Sequence, residues 1–233
     1  ILLKVAKSVS LARVKRALTI MGRRAEEGET DFSKLIYPLM QVTDIFYLDL
    51  DIALGGLDQR KAHMLARDVA EKLGFKKPIA IHTPLLTSLQ GIGRMDIKGG
   101  VDEVLSESKM SKSRPESAIF VTDPDEVIKN KILRAYCPPK QVDFNPIMEL
   151  AKYIIFYEEP KKIVIERPQK YGGPIEVTSY NELKEHYITG NLHPLDLKIA
   201  VANYLIEFIR PIRESLLKES KDLIEKISEL VSR

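Results

Sequence analysis

The stretch from residue 47 to residue 84, YLDLDIALGGLDQRKAHMLARDVAEKLGFKKPIAIHTP, limits the possible folds more than any other part of the chain. Residues 47 to 53 mix apolar and acidic residues as a strand does, and Gly55-Gly56 ends the run. A helical pattern follows, with Gly74 as its C′ residue. Residues 77 to 84 form a short apolar run bounded by prolines, which predicts a buried strand. Strand, glycine turn, helix and strand make a βαβ unit, because parallel strands need a crossover of this length. The fold class expected is therefore α/β, with a parallel, doubly wound sheet of the Rossmann type. Only about half of such a sheet is visible, and the chain opens at Ile1 inside helical sequence. An N-terminal part of a longer protein is expected to precede it.

The flanks divide the chain further. Val5, Val9, Val14, Leu18 and Met21 keep a helical period with basic residues between them, so residues 2 to 24 are expected to form one basic amphipathic helix. Residues 26 to 31, EEGETD, read as an acidic loop. Residues 35 to 46 read as a short helix that projects Tyr37, Gln41 and Asp44 from one face. Residues 90 to 118 are Gly-rich, charged and aperiodic, and loops of that length are usually functional or disordered.

From residue 124 the character becomes mostly α-helical. Asp123-Pro124 and Asn145-Pro146 are expected to cap helices, and 161–168 with 173–180 to pair as a β-hairpin with QKYGG near its turn. A helix should close at Gly190, and a long final helix should start near Leu195 and kink or break at Pro211. The expected organisation is a connective helical segment over 1–34, the second half of a nucleotide-binding domain over 35–123, and a helical C-terminal domain over 124–233.

Composition excludes several classes. A net charge of +3 means that any nucleic-acid contact must come from local patches. The single cysteine, Cys137, rules out an intrachain disulfide and a cysteine-based zinc site, which suits a cytoplasmic protein. No apolar run reaches membrane-spanning length, so no membrane partner is expected. His63, His82, His186 and His193 do not stand at metal-ligand spacing, and no metal site is expected. Ser106, Ser108, Ser111 and Ser113 lie in loop sequence without a nucleophile elbow.

Three groups of residues carry possible chemistry. Tyr37, Gln41, Asp44 and Gln59 are either a satisfied polar helix face or a pocket for a small zwitterion, in which amides hold an ammonium and a carboxylate accepts from a hydroxyl. Gly55, Gly56 and Asp58 are either a plain turn or a place where a ligand meets backbone and ribose hydroxyls meet Asp58. The stretch ESKMSKSRPES, residues 107 to 117, cannot sit in a core and is either a solvated loop or one built to meet phosphate.

The ordered set YPLMQVTD, GGLDQRKAHMLARD, KMSKS (109–113), AYCP and NPIMELAKY resembles the class I aminoacyl-tRNA synthetases, specifically the tyrosyl-tRNA synthetases of archaeal and eukaryotic type. The resemblance covers nearly all of the chain. It implies that Tyr37, Gln41 and Gln59 bind substrate tyrosine and that Asp44 accepts its phenol hydroxyl. It implies that Gly56 and Asp58 lie at the adenylate ribose, while Lys109, Ser111, Lys112 and Ser113 bind the phosphates of ATP, which brings its Mg2+ with it. Lys109 and Lys112 would be catalytic, stabilising charge on the leaving pyrophosphate. Tyr171, His193 and Asp196 match residues that read the anticodon, and Arg16 and Arg60 match positions at the acceptor stem. Helix 2–24 would lie at the interface of a homodimer.

The expected activity is thus ATP-dependent ligation of tyrosine to tRNA(Tyr), with no DNA partner. The His-x-Gly-His-like motif of the family is not in these 233 residues, so the chain alone is expected not to aminoacylate. The alternatives are a non-catalytic tRNA-binding fragment or paralogue, and the related tryptophanyl enzyme.

Overall fold

The structure, a computed structural model, describes residues 1–18, 32–92, 108–220 and 223. Contacts divide the chain into two compact units, Ile1–Leu85 with Ile92–Lys109, and Leu86–Gly91 with Met110–Arg233.

In the first unit, helices α1 (Leu2–Ser8) and α2 (Leu11–Leu18) replace the single helix expected over 2–24. Val9 is extended, and the Ser10 hydroxyl accepts the Arg13 N–H at 3.3 Å. The serine starts a new helix by capping it, which an apolar period running across the break does not reveal. Residues 19–24 and the loop 26–31 lie outside the described residues. Helix α3 (Phe32–Tyr47) buries Leu39, Val42, Ile45 and Phe46 against α1, α2 and helix α4 (Arg60–Val69).

The strand expected from Tyr47 starts later. Asp49 has φ +50°, and the Leu50 N–H donates to the Ile45 carbonyl at 3.1 Å. The alternating YLDLD imitates a strand, but a left-handed Asp belongs to a turn. Strand β1 (Ile52–Gly56) therefore contains Gly55-Gly56 rather than stopping before them. It pairs in parallel with β2 (Ile79–Thr83), from Ile52 opposite Ile79 to Gly56 opposite Thr83, with α4 as the crossover. The helix buries Ala62, Leu65, Ala66 and Val69 at helical spacing, and Gly74 (φ +73°) ends the 3-10 turn Glu71–Leu73 that follows it.

The prediction that 77–84 is a buried strand fails. Ile52, Leu54, Ile79 and Ile81 share one sheet face and are 47–68% exposed. Helix α4 packs against the strands on one side only, and among the described residues nothing covers these four.

In the second unit, α5 (Asp125–Arg134) packs on the long helix α8 (Pro194–Glu219). Between them come α6 (Pro146–Leu150) with a π-helical turn (Ala151–Ile155), an antiparallel hairpin β3 (Ile163–Ile165) and β4 (Ile175–Val177), and α7 (Tyr180–Thr189). Their core includes Ile128, Ile132, Ile147, Met148, Leu197 and Val201.

Several local expectations hold. The Asn145 side chain accepts the N–H groups of Ile147 and Met148 with Pro146 first in the helix, and Gly190 (φ +86°) ends α7. Two do not. Asp123 does not cap α5, because its carboxylate accepts from the Phe120 N–H at 2.9 Å and the buried Lys131 ammonium at 2.7 Å. Helix α8 continues unbroken through Pro211 to Glu219. Nearby Arg210 and Arg213 hold Asp125 of α5 at 2.7 and 2.6 Å.

Candidate functional site

The first unit gathers polar side chains around the end of β1 and the start of α4. Gln41, on α3, donates its amide N–H to Oε1 of Gln59 at 3.1 Å. Its own Oε1 is buried and has no hydrogen-bond partner. A buried acceptor left in this state costs on the order of 1–3 kcal/mol, so it marks a place for a donor. Tyr37 and Asp44 stand on the same helix at the expected spacing and are both exposed.

The space above the two glycines is already occupied. A Cβ on Gly55 would meet the Gln59 Cβ and the His63 Cε1, each at 3.1 Å, and one on Gly56 would meet the Asp58 Oδ1 at 2.5 Å. The glycines let Gln59, Asp58 and His63 fold back over the strand end. The Asp58 side chain is only 6% exposed and its carboxylate is ion-paired with Lys109. Arg60, exposed, opens α4, and Arg16, also exposed, lies in the last turn of α2. A 2.5 Å ion pair between Arg13 of α2 and Asp68 of α4 joins those two helices.

The spacing of the histidines along the chain does not reveal one contact between two of them. His63 Nδ1 and His82 Nε2 lie 3.1 Å apart. Burial lowers the pKa of both rings, helped at His63 by its neighbour His82 and at His82 by Arg60. Either nitrogen can be the donor of this contact, according to the ring tautomers. The available signal was positional: His63 is one helical turn beyond Gln59, and His82 pairs with Gly55 in the ladder. Among the described residues no group of three or more His, Cys, Asp or Glu is placed to hold a metal ion.

In the second unit, residues 110–113 of the KMSKS stretch form a tight turn, while Lys109 belongs to the first unit. The Ser111 and Ser113 hydroxyls are 2.9 Å apart, and the Ser111 N–H donates to the Ser117 hydroxyl at 3.2 Å. Lys112 is exposed. Elsewhere in this unit Tyr171, His193 and Asp196 line one cavity of about 690 Å3, together with Arg167, Lys170 and His186. Arg167 supports it by donating to the Gly173 carbonyl at 2.8 Å and to the Asn191 carbonyl. His193 caps α8, its Nδ1 accepting the Leu195 N–H at 3.2 Å, which leaves Nε2 as the protonated nitrogen of the neutral ring. Tyr171 is 61% exposed, with the Lys170 ammonium 4.8 Å from its ring centre. A flat aromatic face, a ring N–H and a carboxylate around one cavity suit an unpaired base.

Comparison with known proteins identifies the family. A family model described as tRNA synthetases class I (W and Y) matches residues 1–96 and 99–210. The tyrosine–tRNA ligase of Aeropyrum pernix is 63% identical over 236 residues, covering 100% of this chain and 65% of its own length. That of Saccharolobus solfataricus is 60% identical over 237 residues, covering 100% of this chain and 64% of its own length. A crystal structure of tyrosyl-tRNA synthetase from Pyrococcus horikoshii, complexed with L-tyrosine, superposes with a TM-score of 0.84 at 45% identity, over 95% of this chain and 62% of that one. The chain thus spans about two thirds of the length of the proteins it resembles. With the family model matched over nearly the whole chain and two curated relatives at 60% identity or more, the chain belongs to the class I tRNA synthetases of the tryptophan and tyrosine group.

Proposed function

We propose that this chain is part of a tyrosine–tRNA ligase, which activates tyrosine with ATP and transfers it to tRNA(Tyr). The observation that carries this reading is the buried, unpartnered Oε1 of Gln41 beside Gln59. It asks for a donor, and the ammonium of an amino acid is one. The phenol oxygen of Tyr37 accepts from the same ammonium, and Asp44 accepts the phenol hydroxyl of the substrate. A phenylalanine would leave that carboxylate without a donor, which disfavours it.

In the activation step an oxygen of the tyrosine carboxylate bonds to the α-phosphorus of ATP, and the bond from that phosphorus to pyrophosphate breaks. Asp58 and Gly56 hold the ribose. Lys109 and Lys112 stabilise the charge gathering on pyrophosphate, with Ser111 and Ser113 donating to phosphate oxygens. Magnesium arrives with ATP and stays on the phosphates. No side chain becomes covalently attached. A terminal ribose hydroxyl of tRNA then attacks the activated carbonyl and releases AMP.

The division of labour follows the chain. Residues 35–123 supply the second half of the doubly wound catalytic domain, and 124–233 the helical anticodon-binding domain. Tyr171 stacks on an anticodon base while His193 and Asp196 read its edge. Arg16 and Arg60 meet the acceptor stem, and the segment 1–34 lies at the interface of a cytoplasmic homodimer.

The test is tyrosine-dependent exchange of pyrophosphate into ATP by the protein expressed from its complete reading frame. Exchange with tyrosine and not with tryptophan is expected, and residues 1–233 alone are expected to show none. Exchange with tryptophan alone would move the reading to the sister enzyme. Binding of tRNA with no exchange by any amino acid would leave only a tRNA-binding protein.

A further inference from the structure

The turn that presents Ser111 and Lys112 does not support itself. At its entry the Met110 N–H donates to the Leu86 carbonyl at 2.9 Å, and at its exit the Ser117 carbonyl accepts the Leu89 N–H at 2.9 Å. Inside it, the Ser117 hydroxyl accepts from the Ser111 N–H and donates to the Arg114 carbonyl at 2.6 Å. Both ends therefore rest on the four residues Leu86 to Leu89, which belong to neither sheet and to no helix. What fixes those four residues fixes the turn.

Two groups do so. The Tyr136 N–H donates to the Leu89 carbonyl at 2.7 Å. The other is Glu149, which projects from α6. One of its carboxylate oxygens accepts the Thr87 N–H at 2.7 Å and the other accepts the Thr87 hydroxyl at 2.8 Å. Thr87 is 1% exposed, so these bonds are shielded from water. Burial raises the pKa of Glu149, against the opposing effect of the Thr87 bonds and Lys152, so ionised Glu149 is held at a cost to folding. A carboxylate suits the position because each donor meets its own oxygen. A glutamine would turn an NH2 toward one of the two donors. The base of α6 is in turn fixed by the Asn145 cap.

We propose that Glu149 is a positioning residue for the KMSKS turn: through Thr87 and the Leu86–Met110 hydrogen bond it sets where Ser111 and Lys112 meet the phosphates of ATP. The part about ATP rests on the ligase reading above. Glu149 itself touches no substrate in this scheme. Its effect is geometric, and small displacements of groups that stabilise a leaving phosphate lower the rate steeply.

The experiment uses the protein expressed from its complete reading frame, with Glu149→Gln, Thr87→Val, which keeps the N–H and loses the hydroxyl, and Thr87→Ser, which keeps both. Hydrogen–deuterium exchange at the Met110 amide is read beside that of α5 and α8. Glu149→Gln is expected to speed exchange at Met110 about 10-fold while α5 and α8 stay at the wild-type rate. In pyrophosphate exchange the same variant should raise KM for ATP or lower kcat about 10-fold, with KM for tyrosine unchanged. Thr87→Val should shift both readouts in the same direction, and Thr87→Ser should restore them. Wild-type exchange at Met110 in Glu149→Gln and Thr87→Val would overturn the proposal, as would equal acceleration throughout α5 and α8. Should Glu149→Gln fail to fold, Thr87→Val decides by the same measures. A wild-type protein with no tyrosine-dependent exchange would overturn the ligase reading, and the Met110 amide would still decide whether Glu149 holds the turn.

Discussion

Lys109 places its ammonium on the carboxylate of Asp58, a side chain only 6% exposed, so the first lysine of the KMSKS stretch is paired with the acid at the end of β1. The carboxylate proposed to hold a ribose thus has a cationic partner before any nucleotide arrives. Ribose hydroxyls and phosphates must replace that pairing on both sides. Lys109→Ala is expected to lower kcat for tyrosine-dependent pyrophosphate exchange by about 10²-fold or more, with tyrosine affinity unchanged. Asp58→Asn should release the ammonium, and Lys109 should then be acylated faster by a lysine-directed reagent than in the wild type. Equal acylation rates would mean that the ion pair does not form in solution.

Gln41 is where function and stability are expected to oppose each other. Its Oε1 is buried without a partner, so an apolar side chain of similar size removes an unmet demand. Gln41→Leu should leave unfolding stability within about 1 kcal/mol of wild type or raise it, while weakening tyrosine binding by at least about 10-fold. Chemical denaturation and calorimetric titration with tyrosine measure the two. Unchanged tyrosine affinity would remove Gln41 from the amino-acid site.

Tyr171 is exposed, and its ring touches little that folding needs. Tyr171→Ala is expected to weaken binding of tRNA(Tyr) by roughly 10- to 100-fold, the range for one lost base stack, without changing the melting temperature or tyrosine activation. Arg167→Ala is expected to weaken the same binding by loosening the cavity, since Arg167 ties the hairpin to the α7–α8 connection. Loss of tyrosine activation in either variant would contradict the separation of the two sites.

Asp125 provides the acid-side prediction. Hydrogen bonds from Arg213 and then Arg210 hold its carboxyl below the ordinary 3.8. A depressed folded-state pKa means that the stabilising contribution is complete above about 3.8 and is lost as pH falls through the lower folded value. Asp125→Asn should therefore be less stable than wild type near neutrality, and the two should converge under strong acid. Thermal melts at neutral pH and below pH 3 test this. A constant difference at both would assign the loss to something other than this charge.

Features set by spacing inside one element were legible in the sequence. The βαβ unit, the cap at Asn145-Pro146, the glycine ends at Gly74 and Gly190, the hairpin and the family motifs all depend on residues a few positions apart. Local reading failed where two local patterns competed. YLDLD alternates like a strand, yet Asp49 turns the chain, and the helical period of 2–18 hides the cap at Ser10. It also misassigned Asp123, whose carboxylate is claimed by Lys131, a residue that reaches it only because α5 folds back.

By itself, then, the sequence determined the order and type of most elements and the family to which they belong, because periodicity, capping and motif order are properties of neighbours along the chain. The tertiary structure alone decided which distant side chains meet. His63 beside His82, Gln41 on Gln59 with one oxygen left over, Lys109 on Asp58, and Tyr171, His193 and Asp196 around one cavity are contacts between separate elements. The same holds for the Glu149 carboxylate under Thr87. Such contacts depend on how helices and strands pack, and packing is settled by the burial of apolar faces across the whole unit, which no short window of sequence contains.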